Sequence, residues 1–481
     1  MFVAISMMLV ASVLLSLLEA ARICTIEKAA ENATNLALAS LFAEYDSHLW
    51  NQCKLLGLYT QNEDGFLFEE QEKKMLDVAD YYMNPEEKTE EYPQNTFLRA
   101  KIKECTVIAH QNLTDGSGQV YRKEIAEYMK TQVAGKALNE LKEKYDKWSS
   151  PEKINIDKSV QEANKKLQGK KTKEQSPQSK HDTVKENPLK VFRKARKRHF
   201  LTMLLGDKDK ISEKEISKTD CVSKRDLQKG NIKPSYELGW VEDMLGNMYY
   251  SEQFSGYVNT KAENALAYEL EYLLFGKDND MENLQAVCCQ MILFREVVNM
   301  AYLMTDHEKM EEAALLATSL AGWTGNGAIV TAVQAAILAI WSYGESILDM
   351  RTLLKGENVP YMKSSETWTL NLNAMASCLF GEQGAKSVEN GISYMDYVSL
   401  FLYLANHEKL AMRAMDLQEI RLNSISENMD FHMDGVIVKL EVIAGYQNNS
   451  IFLPLVDSIN NKNMHFEHRI QKSYSYIKAG V

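Results

Sequence analysis

The sequence predicts a mainly α-helical protein with a small antiparallel β element (α+β). An N-terminal transmembrane helix is expected to continue into an amphipathic stalk helix. Three observations support this fold class. Met1 to Leu18 carries no charged side chain, and apolar residues recur at three- and four-residue steps over long parts of the chain. An alternation of apolar and polar residues sets in only near the C-terminal end. These two periods are those with which helices and strands bury one face.

Residues 1–22 are the predicted membrane anchor. A helix needs about 20 apolar residues, and no fewer than about 17, to cross the hydrocarbon core. Met1 to Leu18 reaches this length before Glu19 and Arg22 mark the boundary. A signal peptide would begin with basic residues, which are missing here, so an uncleaved anchor is favoured over a cleaved signal peptide or a buried soluble helix. Because no Lys or Arg precedes the segment, the positive-inside rule gives no orientation on that side.

Residues 23–58 are the predicted stalk helix. Neither Gly nor Pro occurs before Gly57, so one continuous helix is expected from the bilayer into the soluble region. Its apolar side chains recur on one face, and the predicted helix-packing stripe consists of Ile23, Ile26, Ala30, Ala33, Ala37 and Leu41. The small Ala side chains let a partner helix approach closely. The spacing leaves open whether that partner is the same domain or another subunit.

The middle of the chain divides into three predicted regions. Residues 59–148 are predicted to be a mostly helical polar segment. Residues 149–200 are rich in Lys, Ser and Gln and poor in apolar residues, which predicts a disordered or loosely helical basic linker. A solvated spacer is the favoured interpretation of this linker, and contact with anionic lipid or another polyanion is the alternative. Residues 201–430 are predicted to form a helical body.

One part of the helical body is long and uncharged. No charged residue occurs between Glu312 and Glu345, and residues 328–344 are just long enough to span a membrane. Amphipathic helices flank this stretch on both sides. A central core helix is therefore favoured over a second membrane span.

Residues 431–481 are the predicted β element. The alternation from Met433 to Tyr446 places one set of apolar side chains on one face: Val436, Val438, Leu440 and Val442. Lys439 and Glu441 fall on the other face. A second extended stretch runs from Phe466 to Ile477, so we expect two antiparallel strands that cap the helical body.

Composition argues against several classes of function. The net charge of −11 disfavours general nucleic-acid binding. The seven cysteines form no CxxC pair and no metal-ligand spacing. Phosphate loops, dinucleotide fingerprints, nucleophile elbows and zinc-binding helices are missing from the sequence. We therefore predict no catalytic, cofactor-binding or metal-binding residues, no cofactor and no enzyme activity.

The anchor and stalk resemble the pilin-like TadE/TadG-like proteins of bacterial tight-adherence (Tad/Flp) systems. Those chains begin with an apolar helix that ends in a Glu-x-Gly/Ala-Arg-like step, and Leu18-Glu19-Ala20-Ala21-Arg22 is similar to it. Later segments resemble an uncharacterised family of membrane-anchored proteins from Gram-positive gut bacteria. They are Ala37–Tyr45, Leu55–Leu58, Tyr268–Lys277, Asn283–Glu296, Glu345–Asp349, Gly391–Tyr397 and Met415–Asp416.

This resemblance implies a location rather than a reaction. It implies a single-pass protein of the cell membrane, with most of the chain extracytoplasmic, that serves as a component of a pilus-like apparatus. The implied partners are pilin-like or pilus-assembly proteins and the membrane, with no nucleic acid. Such proteins usually carry a short basic or Gly-Ser-containing stretch before the apolar helix, whereas this chain starts at Met1-Phe2-Val3. We therefore expect either missing leading residues or no prepilin-type cleavage.

Two other functions remain open from the sequence. One is a membrane-tethered binding module for a ligand or an envelope polymer. The other, which is less favoured, is a cryptic hydrolase whose site is assembled from distant residues.

Overall fold

The computed structural model divides the chain into two compact units. Its described residues are 2–62, 65–66, 68–83, 98, 100–133, 135–148, 200–206, 211–216, 221–261, 265–425, 430–452 and 465–477. The first unit comprises residues 1–132, 220–246 and 418–481, and the second comprises 133–219 and 247–417. The predicted regions at 59–148, 201–430 and 431–481 therefore do not correspond to these units. The predicted basic linker, 149–200, lies outside the described residues except for its last residue.

Helices account for most of the described chain, as the sequence predicts. They are α1 (Phe2–Phe42), α2 (Ser47–Cys53), α3 (Glu69–Met83), α4 (Asp115–Gln132), α5 (Gly135–Trp148), α6 (Phe200–Leu205), α7 (Trp240–Gln253), α8 (Glu269–Phe275), α9 (Asp280–Thr305), α10 (His307–Ala321), α11 (Gly327–Leu354), α12 (Met375–Phe380), α13 (Tyr394–Leu404) and α14 (His407–Ile425). The strands are β1 (Leu58–Tyr59), β2 (Gln61–Asn62), β3 (Gly65–Phe66), β4 (Ala100–Asn112), β5 (Val436–Asn449) and β6 (His465–Ser475). The mainly helical fold class with a small antiparallel sheet is confirmed.

Helix α1 starts as an exposed apolar rod and ends inside the first unit. Residues 2–14 are exposed on all sides, and from Glu19 onward one face of the helix is buried. The hydroxyl groups of Ser6, Ser12 and Ser16 donate to backbone carbonyls three or four residues earlier in the same helix. These hydrogen bonds satisfy the polar side chains of the apolar segment without water. Helix α1 is thus suited to be a membrane anchor.

The prediction of one unbroken helix up to Gly57 is wrong. Helix α1 ends at Phe42, whose carbonyl accepts a hydrogen bond from the Tyr476 hydroxyl. Asp46 then caps α2, because its side chain accepts a hydrogen bond of 2.7 Å from the Leu49 backbone N–H. An acidic residue in this role is a strong helix-start signal. The stalk is therefore a helix, a turn and a second short helix.

Strand β5 is the centre of a four-stranded antiparallel sheet among the described residues. Strand β4 pairs along one edge, from Ala100 opposite Asn448 to Asn112 opposite Ile437. Strands β6 and β1 pair along the other edge. The apolar residues predicted to share one face of β5 are fully buried: Val436, Val438, Leu440 and Val442. Lys439 and Glu441 are half-buried. The two predicted antiparallel strands are therefore present, within a larger sheet.

Strand β4 was not predicted and is an exception within residues 59–148, where α3, α4 and α5 account for most of the described residues. It is 13 residues long, and its pairing with β5 contains register shifts after Ile102, Val107 and Gln111. Each such irregularity moves the following side chains to the other face and breaks the two-residue alternation. The regular pattern that would have revealed the strand is therefore missing from its sequence.

The core of the first unit forms between α1, α3 and the sheet. Five residues of the stripe are buried in this core, namely Ile26, Ala30, Ala33, Ala37 and Leu41, and Ile23 is partly buried. They share the core with residues of α3 and β5, including Met75, Ala79, Leu440 and Val442. The stripe thus contacts the chain's own domain, which was one of the two alternatives that its spacing left open.

Helices α9, α10 and α11 pack against one another in the second unit. The C-terminal half of α11 is buried, with Ile337, Ile347 and Leu353 among its core residues. The first two turns of α11 are mostly exposed. The predicted core role of residues 328–344 therefore holds for the second part of this stretch, while the first part is mostly not covered by the described chain.

Three helices within the described residues are long and apolar enough to cross a membrane by length and composition: α1, α9 and α11. The burial of their most apolar windows differs. About 6% of the α1 window is buried in the structure, against 50% for α9 and 39% for α11. The α9 and α11 windows use much of their apolar surface in the protein core, and α1 leaves almost all of its window uncovered.

Enlarging a buried Ala of the stripe should destabilise the first unit. We expect Ala33→Leu to lower the free energy of unfolding by about 1–3 kcal/mol, because Ala33 is only 2% exposed and three more carbon atoms in a packed core force neighbouring side chains to shift. Chemical denaturation in detergent measures this. Ala21→Leu, on an exposed face of the same helix, is the matched control. Equal stability of the two variants would contradict the assignment of Ala33 to the core.

Candidate functional site

The predicted anchor boundary, Glu19 and Arg22, is a buried site rather than an exposed pair of charges. The two residues are three positions apart on α1, which places them on one helix face. Their side chains form an ion pair of 3.4 Å and are 2% and 0% exposed. Such deep burial of charged groups is costly unless other polar groups complete their hydrogen bonds.

The end of the sheet supplies those polar groups. The Glu19 carboxylate accepts hydrogen bonds from the backbone N–H groups of Ile451 and Phe452, at 3.2 and 2.9 Å. The Arg22 guanidinium donates to the Leu98 carbonyl at 3.1 Å and to the Asn449 carbonyl. Both charges are therefore held by backbone groups at the ends of β4 and β5. The arrangement fixes α1 to the sheet at the point where the apolar segment ends.

A second buried cluster lies in the second unit and contains four charges. Asp349 on α11 forms ion pairs with Arg295 on α9 at 2.9 Å and with Lys363 at 2.7 Å. Lys363 also pairs with Glu345 at 2.6 Å, and all four side chains are fully buried. Asn299 donates to Asp349 at 3.0 Å. Two cations and two anions thus balance each other.

The pKa values of the two acids in this cluster move in opposite directions. Burial alone would raise the pKa of Asp349, but the charges of Arg295 and Lys363 hold it below its ordinary value. Burial raises the pKa of Glu345, and Lys363 offsets only part of this effect. Glu345 also accepts hydrogen bonds from the backbone N–H groups of Thr369 and Leu370. The cluster therefore ties two helices and the 360–370 segment together, which is a structural role.

Arg351 is a further buried cation of the second unit, and backbone carbonyls surround it. Its guanidinium donates to Met203 near the end of α6 at 2.7 Å and to Cys378 and Leu379 in α12 at 2.7 and 2.9 Å. Carbonyls at helix C-termini carry partial negative charge and lack helical partners. Arg351 therefore joins the ends of two short helices to α11.

Within the described ranges, one group of side chains could hold a metal ion. It consists of Glu419, His432 and Asp434, whose ligand atoms lie within 4.8 Å of one another. Arg225 already fills this position. Its guanidinium binds both oxygens of Glu419 and, at 2.6 Å, Asp434. Backbone N–H groups of Met433 and Gln228 satisfy the same carboxylates. The arrangement therefore suits an ion-paired connection to the start of β5 better than a metal site.

Glu124 on α4 is a buried acid with a strongly shifted pKa. Burial raises the pKa to about 7, and a hydrogen bond of 3.3 Å from the Leu56 backbone N–H only partly opposes this. A pKa near neutrality is a common property of catalytic acids and bases. A general acid or base also needs a reacting group within hydrogen-bond distance. The hydrogen-bond partner of Glu124 is instead a backbone amide, so its expected effect is on stability.

Sequence reasoning identified Glu19 and Arg22 but none of the other buried clusters. Each of those clusters joins residues far apart in the chain: Arg295 and Asp349 are 54 positions apart, and Arg225 and Asp434 are 209 apart. The available signal was the occurrence of Glu345 and Asp349 one turn apart within an apolar helix. Charges at such positions must find partners in the core.

A model of a family of unknown function, DUF5702, matches residues 178–448. The matched stretch contains the four-charge cluster, the Arg225 group and most of β5, and it leaves out α1 and β6. No curated protein and no solved structure matches the chain.

Removing the Lys363 charge should strongly destabilise the second unit. We expect Lys363→Met to lower the free energy of unfolding by about 3–5 kcal/mol, because it leaves the buried carboxylates of Glu345 and Asp349 short of a cation. Urea denaturation followed by circular dichroism measures this. Lys277→Met, at an exposed lysine of the same unit, is the control. The double variant Glu345→Gln, Lys363→Met should recover part of the lost stability. If Lys363→Met loses no more stability than the control, the proposed role of the cluster is refuted.

Glu124 should make stability depend on pH. Because its pKa is about 7 in the folded protein and lower in the unfolded chain, the folded state binds more protons between about pH 4.5 and 7. Stability therefore falls as pH rises through this window. We expect Glu124→Gln to stabilise the protein by about 3 kcal/mol at pH 8 and to have little effect at pH 4. Denaturation curves across this range test it, with exposed Glu408→Gln as control; a difference that does not change with pH would contradict it.

Proposed function

The chain belongs to a family of unknown function, DUF5702, and from that premise we propose that it is a membrane-anchored structural component of a surface apparatus. It acts through protein–protein contacts in a pilus-like assembly of the tight-adherence type. The observation that carries this proposal is the construction of α1. One helix combines an uncovered apolar segment of membrane-spanning length with a half that is built into the core of the first unit.

A single membrane span is supported by the contents of the other two apolar helices. Helix α9 carries Arg295, and α11 carries Glu345 and Asp349, all in the buried four-charge cluster. If α9 or α11 crossed a bilayer, these charges would lose partners that come from outside both helices, such as Lys363. Charged side chains near the bilayer centre are costly. We therefore propose one span in α1, with most of the chain extracytoplasmic.

Contacts with pilin-like neighbours are proposed to involve the charge-free segment of α1. The Ala-rich stripe is buried by the chain's own α3 and sheet, so it is not the contact surface. Residues 2–14 are exposed on all sides and include the small side chains of Ala4, Ala11 and Ser12. Helices associate in membranes through close packing at small residues. The similarity of Leu18–Arg22 to the pilin-like step supports partners of this kind.

Cys24 offers a direct test of both orientation and contacts. It is exposed, two positions after Arg22, whereas Cys53, Cys105, Cys221 and Cys288 are buried. We expect a membrane-impermeant maleimide to label Cys24 in intact cells. A short bifunctional maleimide should cross-link this position to pilin-like proteins, identified by mass spectrometry of the adduct, because neighbouring anchors would bring their boundaries together.

Two variants serve as controls for this experiment. Cys24→Ser removes labelling at this position and leaves any reaction of the half-buried Cys289 and Cys378 as background. Deletion of residues 2–18, which keeps Glu19 and Arg22 in place, should move the protein out of the carbonate-resistant membrane fraction and abolish the adducts. Labelling only after permeabilisation would overturn the orientation. Adducts that contain no pilin-like protein would overturn the proposed assembly.

A further inference from the structure

The turn between α10 and α11 carries an uncovered apolar surface, here called the hairpin tip and comprising residues 313–333. Its most exposed large side chains are Trp323, Leu315 and Ile329, which are 86%, 63% and 43% exposed. Isolated exposed apolar residues are common on proteins, but contiguous ones mark an interaction site or a membrane contact. The hairpin tip is therefore a candidate interaction or membrane-contact surface.

We propose that the hairpin tip inserts into the lipid bilayer as a second membrane contact of this chain. This inference rests on the proposed function, since it assumes that α1 already holds the protein at a membrane. The tip is distinct from the predicted second span at residues 328–344, because it enters one leaflet and returns.

The charge distribution of the hairpin fits a hydrocarbon environment. From Ala313 to Gly344 the sequence contains no Asp, Glu, Lys, Arg or His. Charges begin at Glu312 on α10 and at Glu345 on α11, and Glu345 is buried in the protein core. A docking protein would usually find a polar and charged rim around such a patch. The hairpin tip is instead uncharged on every side, as lipid contact requires.

Four polar side chains of the tip donate hydrogen bonds within the hairpin. The hydroxyls of Thr318, Thr324 and Thr331 donate to the carbonyls of Ala314, Ala321 and Gly327, at 2.8, 2.7 and 3.0 Å. The Trp323 indole N–H donates to the Leu320 carbonyl at 3.1 Å. In lipid, polar groups must find such internal partners because water is missing. The serines in the apolar part of α1 show the same pattern of hydrogen bonds.

The polar groups of the turn between α10 and α11 also form hydrogen bonds within the hairpin. Asn326 caps α11, since its side chain accepts from the Ala328 backbone N–H at 3.0 Å and its carbonyl accepts from Ile329 at 3.1 Å. The Gly325 N–H donates to the Gly322 carbonyl at 3.1 Å. These bonds occupy backbone donors at the start of a helix, which are otherwise left to water.

The length of the tip limits how deeply it can insert. Ala313 to Ala321 is nine residues of α10, which is about 13 Å of helix at 1.5 Å per residue. The hydrocarbon core is about 30 Å thick. Beyond this length α11 becomes buried from Gln334 onward and α10 reaches the charged Glu312. Insertion therefore stops within one leaflet.

Fluorescence of the full-length protein in liposomes tests the proposal. The protein is reconstituted into phosphatidylcholine vesicles with or without lipids brominated on the acyl chains, which quench tryptophan only within the hydrocarbon region. We expect a quenched component of the emission that disappears in Trp323→Phe. Trp240→Phe, which changes an exposed tryptophan outside the hairpin, should leave that component unchanged.

Charge substitutions provide the second measurement. Leu315→Glu and Ile329→Glu place a carboxylate on the exposed tip, where folding is little affected but entry into lipid is opposed. We expect either variant to abolish the quenched component assigned to Trp323. Leu404→Glu, at an equally exposed leucine elsewhere in the second unit, should not.

The outcomes separate failure of this inference from failure of the proposed function. If the full-length protein does not float with the vesicles at all, the anchor and the proposed function both fail. If it floats and brominated lipid does not quench Trp323, the anchor stands and the hairpin insertion is refuted. Protection of Trp323 from aqueous quenchers in native membranes, without quenching by brominated lipid, would identify a protein partner and also refute lipid insertion.

Discussion

The ion pair between Glu19 and Arg22 is the constraint on which the architecture of the first unit depends. A helix that leaves hydrocarbon must place its first charges in water or in a polar part of the protein. Here both charges enter the protein, where backbone groups near the ends of β4 and β5 form hydrogen bonds with them. These hydrogen bonds fix the position of α1 along its own axis relative to the sheet. The stripe from Ile26 to Leu41 then faces the residues of α3 and β5 with which it forms the core.

Buried charged side chains with specific partners also hold the helices of the second unit in place. Its central helix, α11, is apolar enough to resemble a membrane span, yet its C-terminal half carries Glu345, Asp349 and Arg351. Each of these charges has a specific set of partners from other helices and loops. A purely apolar helix could slide or rotate among apolar neighbours at little cost, whereas these partners define one register. We infer that the buried charges serve the specificity of the fold more than its stability.

The apolar helices and β5 could be predicted from the sequence, because their apolar side chains recur at regular intervals. The sequence was insufficient for β4, since the irregularities in its pairing with β5 remove the alternation. The end of α1 at Phe42 was also missed, and the Tyr476 hydroxyl that donates to the Phe42 carbonyl is 434 residues away. Glu19 and Arg22 could be identified as a boundary, but their burial could not, because their partners at 449–452 are at the other end of the chain. Periodicity reveals which face of an element is buried, and pairing between distant segments decides what buries it.

This distance between partners has a consequence for synthesis. Thr34 in α1 contacts Tyr446 in β5, and 412 residues separate them in the chain. At about 5–20 residues per second, the ribosome needs roughly 20–80 s to make the intervening chain. Throughout this time the anchor can already be in the membrane while its buried face has no sheet to cover it. The core of the first unit can therefore be completed only after β5 and β6, the last strands of the chain, have been synthesised.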